Sequence, residues 1–277
     1  MKRLGLHLSE RDWEIVRFLA QHRFATSTQL RRCFFWSHAT PSASARASIR
    51  VLDRLMTLRV VARLERTVGG SSHGSAAFVW CLDVVGDRLT RPSGSARLRS
   101  REPSLTFLAH TLAVTEARTE LVEAARSGAF KLTRVDIETE AWRRFVGIGG
   151  AQSVLQPDLF VTTASAEYDD HWYVEIDLGT ESLTVLLRKC TAYEQYRRTG
   201  RAQAEHGVFP RVLWVMPTPA RTARLKAAIA AAPALPNRLF EVTAFPQFIA
   251  TIRSPDDATA PARANGHANE ETKGGQP

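Results

Sequence analysis

The organisation of this chain is set by three neighbouring segments: LQPDLFV (155–161), HWYVEIDLGTES (171–182) and LLRKCTAYEQYRR (186–198). The first two segments are typical of buried strands, and the third is typical of an amphipathic helix. Burying a carboxylate without a partner costs roughly several kcal/mol, so Asp158, Glu175 and Asp177 need a cation or a solvated strand end. We interpret these acids as ligands of a divalent metal ion, and the solvated strand end is the alternative.

The spacing of the acids predicts that they share one face of a sheet. Glu175 and Asp177 are two residues apart, and side chains at that spacing point to the same side of a strand. If the strand that follows Asp158 pairs with theirs, three carboxylates converge. Hard oxygen ligands in that number suit Mg²⁺ or Mn²⁺, which activates a water molecule for attack on a phosphodiester.

The predicted helix at 182–199 contributes two further candidate catalytic residues. Lys189 and Tyr193 are four residues apart and therefore share one helix face. A lysine beside a metal ion stabilises the negative charge that develops at a scissile phosphate. We expect Tyr193 to hold the nucleic acid strand.

Bulk composition indicates a soluble globular protein with room for two modest domains. The chain has 277 residues, of which 44% are hydrophobic and 23% charged. It lacks an apolar run of the roughly 20 residues that span a bilayer, and its first residues lack a signal-peptide core, so we expect a cytoplasmic protein without a membrane partner. Cys33, Cys81 and Cys190 are far apart and form no CxxC motif, which argues against disulfides and zinc.

The positive charge is concentrated in the N-terminal third. Residues 1–104 hold 18 Lys and Arg against 8 Asp and Glu, whereas residues 105–277 hold 19 against 20. Such a basic block is expected of a phosphate-binding surface. A basic composition that only keeps the protein soluble is the alternative.

The N-terminal third shows the element order of a winged helix-turn-helix. Helices are predicted at about 10–22, 29–35 and 42–59. The strand-like runs VVARLERTV and AAFVWCLD follow, separated by the loop GGSSHGS. We therefore predict a winged helix-turn-helix domain over residues 1–90, in which the apolar positions of the third helix point inward, namely Ala45, Ile49, Leu52, Leu55 and Met56.

Six basic residues of this domain are candidate DNA ligands. Arg46, Arg50 and Arg54 recur every four residues and project from one side of the third helix, which is a candidate for the major groove. A solvated arginine-rich face is the alternative. The remaining three residues belong to the predicted wing, where phosphate and minor-groove contacts are made: Arg63, Arg66 and His73.

After a Pro, Gly, Ser and Arg-rich linker at 91–104, the elements of residues 105–253 follow the order α-β-β-β-α-β. The predicted fold class is therefore mixed α+β or α/β. Residues 254–277 have alanine as their only apolar residue and are expected to be disordered. His110, beside the apolar stripe of the first helix in this region, is interpreted as a packing residue, and a ligand role is the alternative.

Residues 105–245 resemble the PD-(D/E)XK nuclease superfamily. The resemblance is carried by the element order, by Pro157-Asp158 and by Glu175-x-Asp177 on the next strand. The usual motif has lysine where this chain has Asp177, and Lys189 on the following helix fits a lysine that has migrated. The resemblance implies a metal-dependent nuclease-like domain.

The chain from Leu8 to about Val242 resembles the replication-relaxation family. The segments that carry this resemblance are LSERDWEIVRFLAQHRFATSTQL, FLAHTLAV and the three segments quoted first. The resemblance implies a DNA-binding protein of plasmid or mobile-element replication, relaxation or transfer. Double-stranded DNA and a relaxase or replication protein are the partners it implies.

Three hypotheses for function remain open. The first is a metal-dependent endonuclease that nicks DNA, and the second is an inactive DNA-binding regulator that recruits other proteins. The third is a transcriptional repressor whose C-terminal domain forms a homodimer or senses a ligand.

Overall fold

The computed structural model confirms a mixed α+β fold. It describes residues 8–68, 77–91, 103–147, 150–164, 169–236 and 238–253. The predicted disordered tail and the greater part of the predicted linker lie outside these residues. None of the described helices is long and apolar enough to cross a membrane.

The N-terminal unit has the element order predicted for a winged helix-turn-helix. Its elements are α1 (Glu10–His22), β1 (Ala25–Thr26), α2 (Ser27–Phe34), α3 (Pro41–Thr57), β2 (Val61–Val68), β3 (Ala77–Leu82) and α4 (Val84–Thr90). Strand β3 lies between β1 and β2 and is antiparallel to both. The loop that would form the tip of the wing lies outside the described residues.

Two helix starts follow from capping by short polar side chains. Ser9 and Asp12 form a reciprocal capping box at the start of α1, and Thr26 and Gln29 form another at the start of α2. Helix α2 therefore begins at Ser27, two residues earlier than the sequence indicated.

The predicted inward face of α3 is partly wrong. Leu52 and Leu55 are buried, but Ile49 is 58% exposed and Met56 is 36% exposed. Ser44 and Ser48 are buried instead, because their hydroxyls donate to the backbone carbonyls of Phe35 and Ala45. These hydrogen bonds let small polar residues occupy positions that an apolar stripe would otherwise fill.

The second unit contains the predicted α-β-β-β-α-β order together with additions. Its elements are α5 (Leu105–Arg126), β4 (Lys131–Ile137), β5 (Arg143–Val146), β6 (Gln152–Leu155), β7 (Leu159–Ala164), β8 (Asp169–Ile176), α6 (Leu183–Arg198), α7 (Arg201–His206), β9 (Arg211–Met216), α8 (Pro219–Ala230), β10 (Phe240–Ala244) and α9 (Phe248–Arg253). The hairpin of β5 and β6 is one of the additions to the predicted order. The short helix α7 was not predicted.

A five-stranded mixed sheet with the order β10-β9-β8-β7-β4 forms the centre of this unit. Strands β8, β9 and β10 are parallel, and β7 is antiparallel to both β8 and β4. Helices α6, α7 and α8 and the hairpin cover one face, while α5 and α9 cover the other. Burial on both faces explains why the consecutive residues Trp172, Tyr173 and Val174 of β8 are all apolar.

Helix α5 packs against both units. Val114, Ala117 and Leu121 belong to the core between α5 and the sheet. Leu108 and Leu112 pack with Val79 of the winged unit. The predicted boundaries at 90 and 105 remain a prediction, and the structure adds that the first helix after the linker is shared.

Candidate functional site

Strand register brings two of the predicted acids together. Leu159 of β7 pairs with Val174 of β8, and the two strands are antiparallel. Asp158, which immediately precedes β7, therefore lies beside the carboxyl end of β8, where Glu175 is located. Lys189 and Tyr193 of α6 cover this corner of the sheet.

Asp158 is held by two donors from different segments. Its Oδ2 accepts the backbone N–H of Ile176 at 2.7 Å, and its Oδ1 lies 2.9 Å from Nε2 of His110. The hydrogen bond to Asp158 is the main reason why the pKa of His110 is raised, although burial acts in the opposite direction. His110 therefore belongs to the hydrogen-bond network of the acid site in addition to lying beside the apolar stripe of α5.

Glu175 is deeply buried, with 3% of its surface exposed. Its Oε1 accepts the hydroxyl of Tyr193 at 2.6 Å, and its Oε2 lies 3.6 Å from Nζ of Lys189. Burial raises the pKa of Glu175, and the negative charge of Asp158 raises it further. Glu175 thus holds its proton at higher pH than an ordinary glutamate.

Lys189 connects Glu175 to Glu181, which the sequence did not indicate as a site residue. The ammonium lies 3.0 Å from Oε2 of Glu181, and its side chain is 41% exposed. Burial lowers the pKa of Lys189, but the two glutamates outweigh this effect and raise it overall. The ammonium is therefore a fixed positive charge at the mouth of the site.

Asp177 does not join the other acids. Arg221 of α8 donates to both of its carboxylate oxygens, and the N–H of Gly179 donates to Oδ2 at 3.0 Å. Arg221 also donates to the carbonyl of Glu181, which fixes its position. The two-residue spacing rule applies within a strand, but β8 ends at Ile176 and Asp177 has a cation of its own.

The acids do not form a ready-made metal centre. Every carboxylate oxygen of Asp158, Glu175 and Asp177 accepts from a donor or lies beside a cation of the chain. Within the described ranges, no group of three or more His, Cys, Asp or Glu residues is placed to hold a metal ion. As the side chains are placed, the donor set does not fit Mg²⁺ or Mn²⁺.

The arginines predicted on α3 are in two different environments. Arg46 and Arg50 are exposed and form no ion pair with another described residue. Arg54 lies 2.5 Å from Oδ1 of Asp12, which is 1% exposed. Arg54 balances the buried charge of Asp12 within the winged unit. Its guanidinium is therefore less available to bind an outside partner.

The structure describes the three candidate residues of the wing to different extents. The guanidinium of Arg63 stacks 4.2 Å above the centre of the Phe78 ring, and both side chains are exposed. Arg66 belongs to β2, but its side chain lies outside what the structure describes. His73 also lies outside the described residues.

These features define a two-part protein in which a basic helical unit with a three-stranded sheet precedes an α/β sandwich with an acidic corner. The chain belongs to the replication-relaxation family, whose model matches residues 16–212, more than half of its length. Neither the curated proteins nor the solved structures contain a significant match to it. The family suggests a role in the replication or transfer of a plasmid or mobile element.

Proposed function

We propose that this protein binds duplex DNA through α3 and the wing, and that it acts as a binding module in plasmid or mobile-element replication, relaxation or transfer. The observation that carries the proposal is the pair Arg46 and Arg50, which are exposed on α3 without an intramolecular ion pair. Unpaired guanidinium groups bind phosphate through charge-assisted, bidentate hydrogen bonds.

The charge distribution supports the same partner. The excess of positive charge belongs to residues 1–104, which contain α3 and the wing. Duplex DNA attracts such a surface over the Debye length, and the release of condensed counterions adds to the affinity. A relaxase, a replication protein or a second copy of the chain is the further partner expected of a recruiting module, and these partners remain predictions.

The first test is charge reversal on α3. We expect Arg46→Glu combined with Arg50→Glu to weaken duplex binding at least tenfold and to lower the magnitude of the salt slope by about two, because two phosphate contacts are lost. Fluorescence anisotropy across a salt series measures both quantities. Arg54 is left unchanged, because a glutamate there would face the buried Asp12.

The matched control for this test reverses two arginines of the second unit. Arg224 and Arg238 are also exposed and form no ion pair with another described residue. Arg224→Glu combined with Arg238→Glu changes the net charge equally and should alter affinity by less than about twofold. Equal losses in both double variants would mean that total charge, not the α3 surface, determines binding.

Metal-dependent phosphodiester hydrolysis is the second candidate function. It is favoured by the proximity of Asp158, Glu175 and Lys189, which includes two carboxylates and a cation in one corner. The present partners of these groups, and the pairing of Asp177 with Arg221, argue against a preformed Mg²⁺ or Mn²⁺ site. DNA binding is therefore better supported than hydrolysis.

A plasmid-nicking assay separates the two candidates. We expect supercoiled plasmid to remain supercoiled in Mg²⁺ or Mn²⁺, because no three described acids are placed around one point. Conversion to open circles by the native chain, lost in both Asp158→Asn and Glu175→Gln, would establish hydrolysis instead. Arg188→Gln, an exposed change beside Lys189, controls for contaminating nuclease.

A further inference from the structure

The outer face of α3 has a mixed composition. Arg46, Ile49, Arg50 and Asp53 occupy positions i, i+3, i+4 and i+7 of the helix, and all four are exposed. Residues at this spacing lie on one side of a helix. The face thus combines two cations, one branched apolar side chain and one acid.

Ile49 is more exposed than an isoleucine in the middle of a packed helix usually is. Single apolar residues are common on protein surfaces, so exposure alone decides nothing. Ile49 differs from an ordinary exposed apolar residue in its neighbours. It is flanked by Arg46 and Arg50, whose charges have no partner among the described residues. Arg54 and Arg59 of the same region are paired with Asp12 and Asp83.

Asp53 argues against a face that serves only to grip the DNA backbone. Its carboxylate is exposed and has no hydrogen bond or ion pair within the described part of the chain. A carboxylate on a surface that contacts only phosphates would oppose binding, because like charges repel. An acid and an isoleucine are useful where a helix meets base edges, which offer the cytosine amino group and the thymine methyl group.

We propose that α3 reads DNA sequence in the major groove and that Ile49 is the specificity residue, packing against the methyl group of a thymine. Arg46 and Arg50 flank this contact and bind the adjacent phosphates, and Asp53 accepts from a cytosine amino group. This inference rests on the proposed function and goes beyond it, because backbone binding alone needs neither Ile49 nor Asp53.

The test begins with the full chain and a pool of random duplexes. Repeated selection should enrich a motif that contains at least one thymine. Each thymine of that motif is then replaced by uracil, which pairs identically and lacks only the methyl group. We expect one replacement to weaken binding about fourfold, the loss for one buried methyl group.

Variants at Ile49 assign that methyl contact. Ile49→Ala should bind thymine and uracil duplexes equally, whereas Ile49→Val should keep most of the discrimination. Val208→Ala is the matched control, because Val208 is 59% exposed on the second unit and should leave discrimination unchanged. Equal urea midpoints for all variants exclude misfolding as the cause.

The outcomes separate this inference from the proposed function. Binding of all duplexes alike, or the same uracil penalty in the native chain and in Ile49→Ala, overturns the inference and leaves DNA binding standing. Failure to bind any duplex overturns both. An enriched motif whose methyl sensitivity disappears in Ile49→Ala supports both.

Discussion

At the scale of single residues, several buried ionisable groups are held by partners from distant segments. Asp12 is paired with Arg54, and Glu175 with Tyr193 and Lys189. His22 is a partial exception, since its Nδ1 lies 3.2 Å from the hydroxyl of Thr115 but its Nε2 has no hydrogen-bond partner in the described structure. A buried ring with an unpartnered nitrogen is stable only while it stays neutral.

His22 should therefore make the winged unit sensitive to acid. Burial, assisted by the charge of Arg118, lowers its pKa from 6.5 to about 3. Between these pH values the unfolded chain binds the proton and the folded chain does not, so stability falls as the pH falls below about 6.5. The loss of unfolding free energy at pH 3 is on the order of 5 kcal/mol. Urea unfolding from pH 7.5 to 4 gives the free energy of unfolding at each pH and therefore its dependence on pH.

His22→Phe is the variant that isolates the contribution of this ring. The phenyl ring can keep the stacking on Phe18, whose ring centroid lies 4.1 Å from that of His22. The variant should lose less stability on acidification than the native chain, by roughly 1.4 kcal/mol for each pH unit below about 6. If the unfolding free energies of the two proteins had parallel pH profiles, His22 would bind its proton in the folded chain as readily as in the unfolded chain.

Local sequence predicted the residues of the acid site better than it predicted their partners. Glu175 stood out as an acid in an apolar run, and the four-residue spacing of Lys189 and Tyr193 placed them together correctly. His110 and Arg221 reach the acids from 48 and 44 residues away, through packing that no local pattern encodes. For this reason the loss of Asp177 from the group could not be predicted.

At the scale of elements, the contact between α2 and α5 is mostly polar. Arg32 of α2 bridges Glu116 and Glu123 of α5, and Arg126 of α5 donates to the carbonyls of Arg32 and Cys33. Glu120 lies on the same helix, and burial together with the charge of Glu116 raises its pKa to about 7. A single arginine thus offsets a run of acids, which explains how α5 tolerates them beside α2.

Removing that arginine should loosen this contact. Arg32→Ala leaves Glu116 and Glu123 half-buried without their cation, and we expect a loss of roughly 1 to 3 kcal/mol, between the values for exposed and buried pairs. Arg31→Ala is the matched control, since Arg31 precedes it on α2 and forms no ion pair with a described residue. Urea unfolding at pH 7 compares the two; equal losses would show that the bridge adds nothing beyond helix propensity.

The sequence predicted the types of the elements well. It did not predict well which face of a helix is buried. Apolar period and capping residues located α1, α3, α5 and α6 to within about two residues. The same apolar period wrongly placed Ile49 on the buried face. Ser48 is buried instead through a hydrogen bond, which a hydrophobicity pattern does not show. The hairpin of β5 and β6 was missed because its strands are short and glycine-rich sequence lies between them.

At the scale of the whole molecule, α5 links the N-terminal unit to the acidic corner. Its first turns carry His110, which contacts Asp158, and the rest contacts α2 through Thr119, Glu116 and Glu123. This one helix therefore packs against both units. The orientation of α3 relative to the sheet is therefore set by side-chain packing along α5.

The shared helix predicts that both units unfold together. Leu121 is fully buried between α5 and the sheet, so Leu121→Ala should cost about 2 to 5 kcal/mol and lower the melting temperature of the whole chain by several degrees. Calorimetry should record one transition in the native chain and in the variant, with equal calorimetric and van't Hoff enthalpies. Leu105→Ala, on the same helix but 70% exposed, should leave the transition in place. Two transitions, of which Leu121→Ala moves only one, would mean that the winged unit folds independently and that α5 is an attachment rather than a common core.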